Sequence, residues 1–256
     1  YGTFDGLRLE TGVMKGGEFI AYNNAHIGRG FSVTYDKANP NEIALRLLNP
    51  TSNEELHDFY QCVGRIVNRW KCELEVDGET VEPSDFQRGL SRMREFNANA
   101  LRKMAEDICN GESGNLTLFS AFWPLVIGKM EAELFKEGGV DAFRDWMHKK
   151  QSIDAYYAKP RFFMVDHTVV GRYVITENTL SIFPLKGRVP FGAVNSKTNE
   201  PLTCENYEMC FYSTTRNAGI GEIPYEQFFS YVDGKKIRRY DADHVVVKPI
   251  SLAEME

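Results

Sequence analysis

Ile43-Ala44-Leu45-Arg46-Leu47-Leu48-Asn49-Pro50-Thr51-Ser52-Asn53-Glu54-Glu55-Leu56-His57-Asp58-Phe59-Tyr60, continuing to Trp70, reads as a strand feeding a helix. Leu56, Phe59, Tyr60, Val63, Ile66, Val67 and Trp70 recur at spacings of three and four, which puts them on one stripe of a helix over 53–71. Such a stripe has to be buried. Ser52 with Glu55 three residues on marks the start, the hydroxyl taking a free backbone N–H of the first turn while the carboxylate reaches back. The opposite face, His57, Asp58, Gln61, Arg65 and Arg69, carries no recognisable chemistry. The stretch therefore speaks for the fold and not for the function.

Before it, a glycine-rich lead-in through Gly2, Gly6, Gly12, Gly16 and Gly17 ends in a short strand over 18–22, and Asn23-Asn24 reads as a turn. A second strand over 30–35 has Phe31, Val33 and Tyr35 on one face, and the polar loop from Asp36 to Asn41, with Pro40, makes its pairing with 43–48 antiparallel. After the helix, 72–76 and 79–81 form a hairpin about Asp77-Gly78. A second long helix is expected over 84–109, capped by Ser84 and Gln87, with polar Asn97 interrupting its stripe. Leu116 to Phe119 is strand-like; Pro124 then suits the first turn of a helix that Gly138-Gly139 stops, with a further short helix over 140–147.

From about residue 155 the character turns to β. The runs 156–158, 161–165, 169–175 and 180–185 predict an antiparallel meander, followed by a loop over 186–206, strands at 207–213, 235–240 and 245–247, and a short helix over 224–232. The fold class is thus α+β: a small antiparallel sheet with long helices over 1–151, and an antiparallel β-rich part over 152–256, the two either sharing one core or folding apart.

A formal net charge of −6 disfavours a surface built for phosphate backbones, and no stretch approaches the roughly 18 apolar residues of a membrane helix. The five cysteines are odd in number and show no Cys-x-x-Cys, which argues against a disulfide framework or thiolate zinc site and for the cytoplasm. No cofactor and no metal are expected.

Candidate chemistry is sparse. Gly28-Arg29-Gly30 offers backbone N–H groups and a guanidinium to an anion, but a strand follows where an anion site wants a helix, so turn glycines explain it as well. Asp166-His167 and Asp243-His244 place acids beside imidazoles; neighbours on a strand point to opposite faces, so catalysis by His167 and His244 requires the two histidines to converge, or the local chain to turn. Lys235, Lys236, Arg238, Arg239 and Tyr240 form a basic cluster suited to an acidic partner or a nucleic-acid strand, or to guarding a sheet edge. His57 and His148 read as surface residues, Cys62 and Cys210 as core thiols.

The run Ile27-Gly28-Arg29-Gly30-Phe31-Ser32-Val33-Thr34-Tyr35-Asp36, with Ile43 to Ser52 and the helix ending at Trp70, resembles a bacterial family known as a domain of unknown function and found chiefly in Firmicutes. The likeness is strongest over 18–90. It implies a bacterial, cytosolic protein and carries over no catalytic residue.

The leading expectation is a non-catalytic binding or protein-interaction module, using the 186–206 loop and the basic cluster. Its partner would be a protein or a small anionic ligand, with no membrane and nucleic acid disfavoured. The alternative is an enzyme acting on a small polar or phosphorylated substrate, with His167 and His244 as acid or base and Arg29 as anion anchor.

Overall fold

The apolar stripe read from the sequence is the buried face of α1 (Asn53–Trp70), where Leu56, Tyr60, Val63, Ile66 and Val67 are all under 9% exposed and Trp70, at the last position, is 53% exposed. Ser52 and Glu55 form the expected reciprocal cap, and the helix ends at Lys71 in the left-handed conformation. The computed structural model describes all residues except 1, 5, 6, 12–17, 36, 37, 39, 40, 196 and 197, with backbone alone for 2–4, 7–11 and 18. The lead-in glycines Gly6, Gly12, Gly16 and Gly17, with Asp36, Pro40 and Ser196, lie outside the described residues. The chain divides into two compact units, Tyr1–Ile153 and Asp154–Glu256.

In the first unit, β1 (Gly2–Phe4), β2 (Leu7–Thr11), β3 (Glu18–Tyr22), β4 (Phe31–Tyr35) and β5 (Ile43–Leu47) form an antiparallel sheet in sequence order. Ala21, Phe31, Val33 and Leu45 of that sheet pack against Phe59, Cys62 and Ile66 of α1, the burial that the period-two and period-3.6 patterns require. β6 (Glu75–Val76) and β7 (Glu79–Thr80) close about Asp77 and Gly78, both at positive φ.

The second long helix is divided. α2 (Pro83–Arg88) starts on Pro83, with no side-chain cap from Ser84, and α3 (Leu90–Cys109) follows after Gly89. Pro124 does not open a helix: it precedes β9 (Leu125–Ile127), which pairs with β8 (Leu116–Leu118), and α4 (Lys129–Gln151) begins after Gly128. Gly139, at φ 60 and ψ −149, is non-helical and divides α4 into two helical pieces, the break expected at Gly138-Gly139.

The second unit holds two four-stranded sheets. One is ordered β10 (Tyr156–Tyr157), β13 (Ser181–Pro184), β17 (His244–Val247), β16 (Ile237–Arg239); the other β11 (Arg161–Val165), β12 (Thr168–Thr176), β14 (Asn206–Ser213), β15 (Ala218–Pro224). The expected meander is only partly found, since β10 with β13 and β12 with β14 pair in parallel. A parallel pair needs a long crossover, and alternation of side chains says nothing about strand direction. Tyr173, Ile175, Phe183, Met209, Val245 and Val247 from both sheets meet Tyr225 and Phe228 of α5 (Tyr225–Tyr231) in one core; α6 (Leu252–Met255) ends the chain. The protein is α+β.

Candidate functional site

Two buried polar knots stand out, one in each unit. In the first, Glu55 is 4% exposed, and its carboxylate accepts from the Gly30 N–H at 2.6 Å, the Thr51 hydroxyl at 2.6 Å and the Ser52 N–H and hydroxyl at 3.3 Å each. Arg29 lies beside it at 7% exposure, donating from Nε to the Phe119 carbonyl and from Nη1 to the Pro50 carbonyl. Burial lowers the Arg29 pKa to about 10, against the upward pull of the Glu55 charge. Asn97 of α3, fully buried, donates to the Thr51 carbonyl and accepts from its N–H, both at 2.8 Å. The Gly28-Arg29-Gly30 and Asn49 to Ser52 segments are thus tied together from inside.

Glycine at 28 follows from this knot. A Cβ there would lie 2.4 Å from Glu55 Oε2 and 2.8 Å from Oε1, and a carboxylate held by four donors has nowhere to go. Gly28→Ala is expected to cost on the order of 2 kcal/mol by overpacking, read as a lower urea midpoint with an unchanged slope.

In the second unit the acid-histidine pairs separate. Asp166 and His167 form the two-residue turn between β11 and β12, both at positive φ and both exposed. His244, 1% exposed, belongs to β17 in the other sheet, and its partner is Asp241, not Asp243. Asp241 is fully buried; one oxygen accepts from His244 Nδ1 at 2.8 Å and from the backbone N–H groups of Asp243 and His244. Nδ1 therefore carries the ring proton and Nε2 is left as an acceptor. Facing Nε2 are the Tyr157 hydroxyl at 2.9 Å and Arg188 Nη2, whose Nη1 pairs with Asp243. Burial pushes the Tyr157 phenol up to about 12, against the lowering effect of Arg188.

Arg188 is also the root of the 186–206 loop. Its carbonyl accepts from the Tyr173 hydroxyl, and Gly187 sits so close to the Tyr207 ring that a Cβ would come within 2.3 Å. Beyond the root, Ala193 N–H closes a turn onto Pro190 O, with Gly192 at φ 72 in the third position, the one a type II turn gives to glycine. Val194 bridges Pro201, and Leu202 N–H bonds Ala193 O, so 193–195 and 200–202 run antiparallel to each other. Phe191, in the turn, is 86% exposed.

The basic cluster spans a short 3₁₀ turn, Gly234–Lys236, and β16, an edge strand on which Arg238 and Arg239 are exposed. Lys236 pairs with Glu254 and bonds Pro249 O; Lys235 is exposed; the Tyr240 ring is 2% exposed and so has no face to offer a base. A groove of about 480 Å³ on the other sheet is lined by Val170, Tyr207, Glu208, Glu222, Ile223 and Glu226, of which Glu208 and Glu222 pair with Arg172, and neither histidine lines it. Among the described residues no group of His, Cys, Asp or Glu is placed to hold a metal, and no helix is long and apolar enough to cross a membrane.

The sequence matches, over residues 1–256, the family described as a domain of unknown function, DUF4299. The chain belongs to that family. Comparison with curated proteins and with solved structures gives no match. The DUF4299 match takes in the β-rich unit as well as the 18–90 stretch, so the Asp241, His244 and Arg188 knot lies inside the family's span along with the Arg29 and Glu55 knot. Tyr157, Arg188, Asp241 and Phe191 were not singled out by sequence. Asp241 alone had a legible sign, an acid three residues before a histidine, the spacing of a tight turn.

Proposed function

We propose that this chain is a non-catalytic binding module that engages a partner protein through the 186–206 loop. The observation that carries this reading is Phe191, 86% exposed on a loop whose root is fixed by Arg188 and whose own backbone bonds hold its shape. An aromatic presented on a pre-ordered loop loses little entropy on docking, and such residues dominate interface energies. Arg238 and Arg239, on the strand next to the one bearing His244, add a cationic flank suited to an acidic partner surface. All five cysteines are free thiols, which fits a reducing cytoplasm.

The test is native co-purification of the tagged chain from its source cells. A Phe191→Ser chain is expected to bind its partner about 30-fold more weakly, the loss of an anchor worth about 2 kcal/mol, with an unchanged thermal melt. Equal recovery with both chains, or none with either, overturns the proposal.

One observation favours the catalytic alternative: Asp241, His244 and Tyr157 form a hydrogen-bonded chain able to relay a proton toward a small polar or phosphorylated substrate. It ranks second because His244 is 1% exposed and both ring nitrogens are engaged.

A further inference from the structure

Among the described residues β11 is an outermost strand of its sheet, paired only with β12 and in unbroken register from Arg161 opposite Arg172 to Val165 opposite Thr168. The two-residue turn makes Val165 and Thr168 the hydrogen-bonded pair that closes the hairpin. Bonded positions alternate along an antiparallel pair, so Arg161, Phe163 and Val165 spend their backbone groups on β12. The N–H and C=O of Phe162 and Met164 point to the open side.

The other edges in this unit are blunted. β16 carries Arg238 and Arg239, β10 is two residues long, and β15 contains Gly219, Gly221 and Pro224 beside a register shift at Phe211 and Tyr212. β11 has no such device. Phe163 is 45% exposed, Met164 67% and Val165 39%, and its one charge stands at the first position. An apolar edge with an open row of donors and acceptors is a template for another strand.

We infer that this edge pairs with the same strand of a second copy, antiparallel about a twofold axis through Phe163. The register follows from parity. Centred on Phe163, Phe162 of each copy faces Met164 of the other, and all four outward N–H groups find outward carbonyls. Centring on Phe162 would set Met164 against Pro160, which has no N–H; centring on Met164 would set Phe162 against Asp166, a turn residue at positive φ. In the Phe163 register the two Phe163 rings meet as the close non-bonded pair, and Arg161 faces Val165, so no like charges oppose. The Arg172 guanidinium, 5.4 Å from the centre of the Phe163 ring and neutralised by Glu208 and Glu222, stays on the face of the joined sheet. A second copy is favoured over an unrelated peptide because the strand complements itself in every outward group.

Sedimentation equilibrium of the wild-type chain is expected to give twice the 29.2 kDa of one copy. Met164→Pro removes an outward N–H and leaves the bonds to β12, and Phe163→Lys sets two ammonium groups against each other at the axis; each should weaken dimerisation at least tenfold with an unchanged circular-dichroism spectrum. Phe163→Cys brings two thiols within disulfide reach and should yield a covalent dimer on mild oxidation where the wild type, treated in parallel, yields none. Phe191→Ser should leave the dimer intact, which separates this inference from the loop's partner. A wild-type monomer at the highest attainable concentration overturns the pairing, as does a dimer that survives both Met164→Pro and Phe163→Lys.

Discussion

Replacing Glu55 by alanine is expected to cost about 3–5 kcal/mol, the sum of several buried donors left without an acceptor beside a buried cation. The carboxylate is the common acceptor for Gly30, Thr51 and Ser52, so its removal strands donors that the fold keeps from water. Each such group costs roughly 1–3 kcal/mol. It also leaves Arg29, 7% exposed, without its neighbouring negative charge. Glu55→Gln tests whether shape or charge matters: the amide keeps one acceptor oxygen but turns an NH₂ toward donors, so it should recover less than half the loss. Adding Arg29→Met to Glu55→Gln should cost less than the two changes summed, because cation and anion leave together. The three tryptophans, Trp70, Trp123 and Trp146, all lie within Tyr1–Ile153, so tryptophan fluorescence in urea follows this unit selectively. A loss below about 1 kcal/mol for Glu55→Ala would show that the knot relaxes or admits water.

What the sequence disclosed about this knot, and what it hid, has a physical pattern. The cap of Ser52 and Glu55 was legible because it spans three residues. That the other oxygen of the same carboxylate also holds Gly30, 25 positions earlier, was not, because nothing local marks the meeting. Asn97 showed as a break in an apolar stripe; its partner Thr51, 46 positions away, did not. Arg29 looked like an anion anchor because glycines flank it, yet those glycines make room for Glu55 and for the Ala21 carbonyl. A helix limit failed at Pro124, which suits a first helical turn and also the approach to a strand, whereas the break at Gly139 was legible because glycine takes a positive φ readily. In the β-rich unit, alternation found most strands but could not assign parallel pairing across the 186–206 connection, and it discounted Asp243 as a partner for His244 without naming Asp241, which the turn selects.

Asp241→Ala is expected to cost about 3 kcal/mol and to free the loop that carries Phe191. The direct loss is three donors, the backbone N–H groups of Asp243 and His244 and the imidazole Nδ1, all turned on one oxygen. The indirect loss runs outward through His244. With Asp241 gone, the proton on Nδ1 loses its acceptor and the ring loses its anchor, so only Tyr157 and Arg188 still hold Nε2 in place as their acceptor. Arg188 then holds the loop root mainly through Asp243 and Tyr173. Asp241→Asn retains an acceptor oxygen for the backbone groups and should cost about half as much. Hydrogen exchange at 185–194 is the deciding measurement: amides there should lose protection in Asp241→Ala while tryptophan fluorescence, confined to the first unit, reports an unchanged transition. Partner binding through Phe191 should weaken in step, because a loosened loop must be ordered again on docking. Unchanged exchange at 185–194 would show that the loop is held without the Asp241, His244 and Arg188 chain, and the aromatic would then owe its placement to the backbone bonds between 193–195 and 200–202 instead.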